Sequence, residues 1–180
     1  MMQRWQIGVL AGLVWAVPAT AQESHSPYAH EGSSELKTLS QAEVDDLVNG
    51  EGLGLARPAE LNRHPGPRHV LDLARPLDLS AEQRLATERI RAEMRTRAKA
   101  LGREILDAER ALDAAFAAGD VMAEALAASV RRIAELQGEL RIAHLEAHLA
   151  MRALLTEHQI QEYDRLRGYG PDHAHDDASG

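Results

Sequence analysis

The chain has 180 residues, a formal net charge of −8 and no cysteine. That length suits one domain, and the missing cysteines exclude disulfide stapling, thiolate catalysis and thiolate metal sites. An acidic chain is also a poor partner for nucleic acid, so no nucleic-acid role is expected.

The first segment, Met1–Gln6, carries the single charge Arg4. Ile7–Val17 is apolar, Pro18 breaks the run, and Ala19-Thr20-Ala21 has the small-x-small pattern of a signal-peptidase site. This predicts a Sec-type signal peptide over residues 1–21, cleaved before Gln22, and hence an exported protein. The apolar run falls short of the roughly 20 residues a membrane span needs. No Cys follows it to take a lipid.

Residues 22–37 are polar and acidic, with Glu23, Glu31 and Glu35 against Lys37, and read as a disordered arm. Ser40-Gln41-Ala42-Glu43 is a capping box that starts a short helix, which Asn49-Gly50, Gly52 and Gly54 stop. Pro58, Pro65, Pro67 and Pro76 punctuate the rest of residues 38–76 and leave room only for short helices near 58–63 and 67–74.

A second capping box, Ser80-Ala81-Glu82-Gln83, opens a stretch without proline until Pro171. Met94, Leu101, Ala108 and Ala115 recur every seven residues, interleaved with Ala98, Ile105 and Leu112. That heptad seam predicts a helix over about 81–118. Gly119 ends it and Asp120 is the expected cap of the next. On the second long helix, about 121–155, Leu126, Ile133, Leu140, Ala147 and Leu154 form one row, and Val130, Gln137, His144 and Met151 the other. Two long helices joined by so short a turn must run antiparallel. A third capping box, Thr156-Glu157-His158-Gln159, starts a last helix to about Arg167. A His/Asp tail, 169–180, follows. The fold class is therefore all-α, a long antiparallel helical hairpin with short flanking helices. Thin Ala/Leu helices complete their core by pairing, so a homodimer is expected.

No nucleophile elbow, phosphate-cradling glycine loop or HExxH motif is present, and the chain is not read as an enzyme. Two constellations remain. The first is basic: Arg84, Arg89, Arg91, Arg95, Arg97, Lys99 and Arg103 crowd one stretch against Glu88 and Glu93. It is either a docking surface for an anionic partner or a solvated face balanced by the acidic arm. The second is histidine. His144 and His148, four apart on one helix, stack two imidazoles on one face, with Met151 beyond; zinc, copper or nickel suits such donors. A polar residue that sets helix register is the alternative. His69 or Asp72 is the candidate third ligand, and His173 and His175 in the tail form a separate loose chelating cluster.

Leu79-Ser80-Ala81-Glu82-Gln83 and Leu155-Thr156-Glu157-His158-Gln159 both fit the pattern LTxxQ, one ahead of the hairpin and one behind it. Over residues 77–168 the chain resembles the Spy/CpxP family of periplasmic proteins, which includes zinc-resistance-associated proteins and heavy-metal sensors. The segment Ala59–Leu71 and the ending Leu166-Arg167-Gly168-Tyr169-Gly170 are similar to a branch of that family with a His-rich tail. The resemblance implies a hooked hairpin, two of which pair antiparallel into a cradle, in the periplasm. It implies helix-capping roles for Ser80, Gln83, Thr156 and Gln159. It further implies an ATP-independent chaperone that holds unfolded envelope proteins, with no cofactor required, or alternatively a metal-binding or metal-sensing resistance protein. A membrane sensor's periplasmic domain is the other expected partner. The chain departs from the family in two ways. Where the chaperone members have a strongly basic concave face, this chain is acidic and its only basic stretch is 84–103, and Met151 has Ala147, not His, four residues before it.

Overall fold

In a computed structural model the described residues are 36–119 and 121–169; they form six helices and no strand. The expected signal peptide, arm residues 22–35, Asp120 and the tail with His173 and His175 lie outside them. The helices are α1 (Gln41–Asn49), α2 (Arg57–Glu60), α3 (Pro67–Asp72), α4 (Ala81–Ala118), α5 (Ala123–Leu154) and α6 (Glu157–Arg167). The all-α hairpin expected from the heptads is present: α4 and α5 pack along each other, α1 and α3 lie on α4, and α2 and α3 touch α5. None of these helices is long and apolar enough to cross a membrane.

Local chemistry sets the helix ends. Ser40, Ser80 and Thr156 each accept a hydrogen bond from the backbone N–H three residues on, and Glu43, Gln83 and Gln159 reach back to the cap. Each capping box satisfies amide groups that a helix start leaves bare. At the far end of α4, Gly119 takes φ +70°, a left-handed turn that closes the helix at little cost only for glycine. The second long helix differs from expectation at its start. It begins after Met122, which supplies no side-chain cap.

The buried residues of the hairpin form two clusters. One holds Leu36, Leu47, Ala98, Ile105, Leu106, Leu136 and Leu140, between α1, α4 and α5. The other holds Val70, Leu77, Met151, Leu155, Ile160 and Tyr163, where α3 and α6 close over the end at which α4 begins and α5 finishes, here the hook end. The heptad rows describe only part of this. Ala98, Ile105, Ile133, Leu140, Ala147 and Met151 are buried as expected, but so are Gly102, Leu106 and Glu109 on a second face of α4. That second face receives α1. A Cβ on Gly102 would stand 2.3 Å from the carbonyl oxygen of Leu47, so α1 approaches as closely as it does because no side chain intervenes.

Two residues assigned to the disordered arm belong to the fold. Leu36 is 2 % exposed. Beside it Lys37 pairs with Asp113 at 3.1 Å. An apolar side chain at the arm's end found a hydrophobic cluster, which the polar composition of residues 22–35 had masked.

Candidate functional site

The two LTxxQ motifs, far apart in sequence, meet at the hook end. Gln83 Nε2 donates to Gln159 Oε1 at 2.9 Å, and Gln159 Nε2 is 2.9 Å from Gln83 Oε1. The second proton of each amide goes to the backbone: Gln83 Nε2 to the Leu154 carbonyl and Gln159 Nε2 to that of Leu77, both at 3.2 Å. The same Oε1 atoms accept from the Ser80 and Thr156 amides. Each glutamine thus closes its own helix start and clasps the other motif. Both amide groups use all their donors in a largely buried place, where an unmet donor is costly. The capping role expected for Ser80, Gln83, Thr156 and Gln159 holds. The mutual clasp lies beyond what spacing alone could reveal.

Beside this clasp a pocket of about 430 Å³ opens between the 50–69 segment, α4, α5 and the end of α6. His144 and His148 line it from α5, Arg91, Met94 and Arg95 from α4, Arg57 and Glu60 from α2, and Arg167 and Tyr169 from the C-terminal end. Gly50, Glu51, Gly52, Gly54, Ala56, Leu61 and Gly66–His69 complete the walls. His144 is 4 % exposed, its ring lies against Gly52, and its Nε2 has no hydrogen-bond partner. Burial, aided by the neighbouring His148, holds its pKa below the usual histidine range, while the Glu51 carboxylate and main chain oppose that shift weakly. The ring of His148 is anchored: Nδ1 lies 2.7 Å from the His64 carbonyl and 3.8 Å from Glu60 Oε2. Its Nε2 faces Gly66, where an added Cβ would stand 3.2 Å away.

The expected metal set does not assemble. His144 and His148 do share the buried face of α5. His69 lines the same pocket, but its Nδ1 sits 3.6 Å from Asp72, and Asp72 is not part of the lining. Met151 is fully buried among Val70, Leu77 and Tyr163, where its thioether fills the core. Among the described residues no group of three His, Cys, Asp or Glu is placed to hold a metal ion. The helical spacing was right; the third ligand failed because the 64–72 segment folds over His148 by its backbone.

The carboxylates of the pocket are already engaged. Glu51 pairs with Arg68 at 3.2 Å. Glu60 accepts from the Gly66 amide and from the hydroxyls of Tyr163 and Tyr169, with Arg167 at 3.5 Å. Burial and the Glu60 carboxylate push the Tyr163 phenol far up.

The basic stretch does not form one face. Arg97 spans to Glu139 and Glu146 of α5 at 2.7 and 2.6 Å, a bridge that locks the two long helices. Arg84 pairs with Glu88 within α4. Arg91 and Arg95 turn into the pocket, and the Lys99 stem lies against Gly50. Arg89 and Arg103 are exposed. The heptad reading missed the pocket's other arginines, Arg57, Arg68 and Arg167, because three separate elements carry them and no spacing in the chain links them.

The family description "LTXXQ motif family protein" matches residues 67–167. That stretch contains the clasp, the whole hairpin and the last helix. No curated protein and no solved structure matches the chain.

Proposed function

From the chain's membership of the LTXXQ motif family, the Spy/CpxP-like group that its two motifs resemble, we propose that it is a periplasmic envelope-stress protein, an ATP-independent chaperone that holds unfolded or misfolded proteins. One observation supports this reading best. The side of α5 turned away from α4 carries an apolar stripe: Ala134, Gly138, Ile142, Leu145 and Leu149, spaced by three and four. Ile142 is 43 % and Leu149 59 % exposed, and Gly138 opens onto empty space. Arg131, Arg141, Glu146 and Arg152 border it. An apolar strip with a charged rim is the kind of surface that holds extended chains weakly and without sequence preference. Two copies of the chain pair in this reading, as the thin core of the hairpin favours.

The test is suppression of aggregation of a reduced, unfolding client protein by the wild type and by Ile142→Ser/Leu149→Ser. The reading expects the double variant to lose most of its protection while its circular dichroism and its sedimentation stay those of the wild type. Full protection by the variant would remove this stripe from the client surface. Replacing Arg84, Arg89 and Arg103 by Gln tests the outward-facing basic residues in the same assay. A smaller loss is expected there.

Metal binding is the second reading, favoured by the unpartnered Nε2 of buried His144 one turn from His148. Titration calorimetry with zinc, copper and nickel, on the full chain and on a chain ending at Gly170, separates a folded site from the tail. Tight binding that survives truncation and disappears in His144→Gln would establish it. Binding lost with the tail would end it.

A further inference from the structure

The pocket beside the clasp is lined by five arginines, Arg57, Arg68, Arg91, Arg95 and Arg167, against two glutamates, Glu51 and Glu60. Five positive charges against two negative leave an excess of three in a chain whose formal net charge is −8. Like charges gathered in a concave, partly dry place repel one another and raise the local potential, which favours an anion there and opposes a cation.

The hydrogen bonding points the same way. Arg95 Nη2 donates to the Asn49 carbonyl, but its Nε is buried without a partner. Arg167 Nη2 reaches the Tyr169 hydroxyl, and its buried Nε makes no hydrogen bond and has only the longer ion pair to Glu60 at 3.5 Å. Arg91, one helical turn before Arg95 on the same face of α4, makes no hydrogen bond or ion pair with any described residue. Buried donors of this kind are seldom left unmet in a folded protein, and a guanidinium is matched best by the paired oxygens of a carboxylate or phosphate. The glutamates meet them only at long range: Glu51, bonded to Arg68, stands 3.9 Å from Arg95 Nη2, and Glu60, bonded to Tyr163, Tyr169 and the Gly66 amide, stands 3.5 Å from Arg167 Nε. The rest of the wall is predominantly apolar, with Ala56, Leu61 and Met94.

We propose that this pocket binds a small organic anion, its carboxylate or phosphate group held by Arg91 and Arg95 and its apolar body lying against Ala56, Leu61 and Met94. The volume of about 430 Å³ lies in the range of small-molecule sites. This assignment is independent of client holding, which uses the opposite side of α5.

The probes are phenyl phosphate, benzoate and the uncharged benzyl alcohol, titrated into the full-length chain at low salt and followed by amide chemical shifts. One or both anions should bind saturably at one site and shift the amides of residues 50–57 and 91–95, whereas benzyl alcohol should not. Which anion binds tells phosphate from carboxylate. Arg91→Gln should weaken binding by about tenfold or more. Because Arg91 has no structural partner among the described residues, that variant keeps the fold even where Arg95→Gln disturbs α1. Arg103→Gln, outside the pocket on the same helix, should bind as the wild type does. Equal binding of benzyl alcohol, unchanged affinity in Arg91→Gln, or no saturable shift with either anion would overturn the assignment.

Discussion

From the hook end to the middle of the hairpin Ala98, Ile105, Leu140 and Ala147 are buried, whereas toward the tip Leu112, Ala115 and Leu126, on the same heptad rows, are only half covered. Phe116, Met122 and Val130 there stand 56, 66 and 50 % exposed. The pattern of apolar residues is alike in both regions. What differs is a third layer. At the hook end α3 and α6 lie over the hairpin, over its middle α1 does, and the buried face of α5 widens from one seam to include Ala143, His144 and His148. Two helices side by side cover one stripe of each other, and full burial needs a third element. Stability should therefore be concentrated where the short helices are, and the tip should contribute little to it.

The sharpest way to break that comparison is to remove Tyr163, which is fully buried at the centre of the hook-end cluster. Tyr163→Ala is expected to cost about 4 kcal/mol in urea unfolding, whereas Phe116→Ala at the tip should change stability by less than about 0.5 kcal/mol. Similar losses from the two variants would show that stability is spread evenly. Gln159→Ala comes next. It strands Gln83 and the Leu77 carbonyl, at a cost of about 3 kcal/mol. The Gln83→Ala/Gln159→Ala double variant should lose clearly less than the sum of the singles, because one clasp is removed in all three. Additive losses would mean the two motifs act separately.

Gly102→Ala follows, at about 2 kcal/mol, from the Cβ that would meet the Leu47 carbonyl. Hydrogen exchange should then show α1 opening while the clasp and α6 stay protected. The smallest effect is that of pH. Burial keeps His144 and His69 below the ordinary value of 6.5, so the folded chain binds fewer protons than the unfolded one just under that value. Stability is complete above pH 6.5 and falls as the pH is lowered through it. His144→Gln should flatten the dependence of the melting temperature on pH without abolishing it, since His69 remains. A slope equal to that of the wild type would place the titrating group elsewhere.

Much of this architecture could be read from residue order. The three capping boxes marked the starts of α1, α4 and α6 at Ser40, Ser80 and Thr156, and Gly119 marked the end of α4, because helix ends are governed by neighbours within a turn. The seven-residue rows led to the hairpin for the same local reason. Gly102 carried no such sign: a glycine inside a helix looks like a weak point until the backbone resting on it is known. Leu36 was hidden by the polar residues before it. The histidine pair was visible through its spacing, but the backbone fold that occupies His148 was not. Arg91 and Arg95 stood out as part of a basic run, yet the pocket they enter depends on Arg57, Arg68 and Arg167, which long-range packing alone brings together.

The clasp has a consequence for how such a chain can change length. Gln83 and Gln159 meet near one end of the hairpin, and Gly119 turns the chain at the other. Between them run helices of 38 and 32 residues, about 57 and 48 Å long. Residues inserted into only one arm would pull the glutamines out of register. Matched insertions of whole heptads next to the turn would leave them facing each other. The hook end is thus a fixed origin, and the distance to the tip is a yardstick that can be lengthened or shortened in paired steps without rewriting what holds the molecule shut.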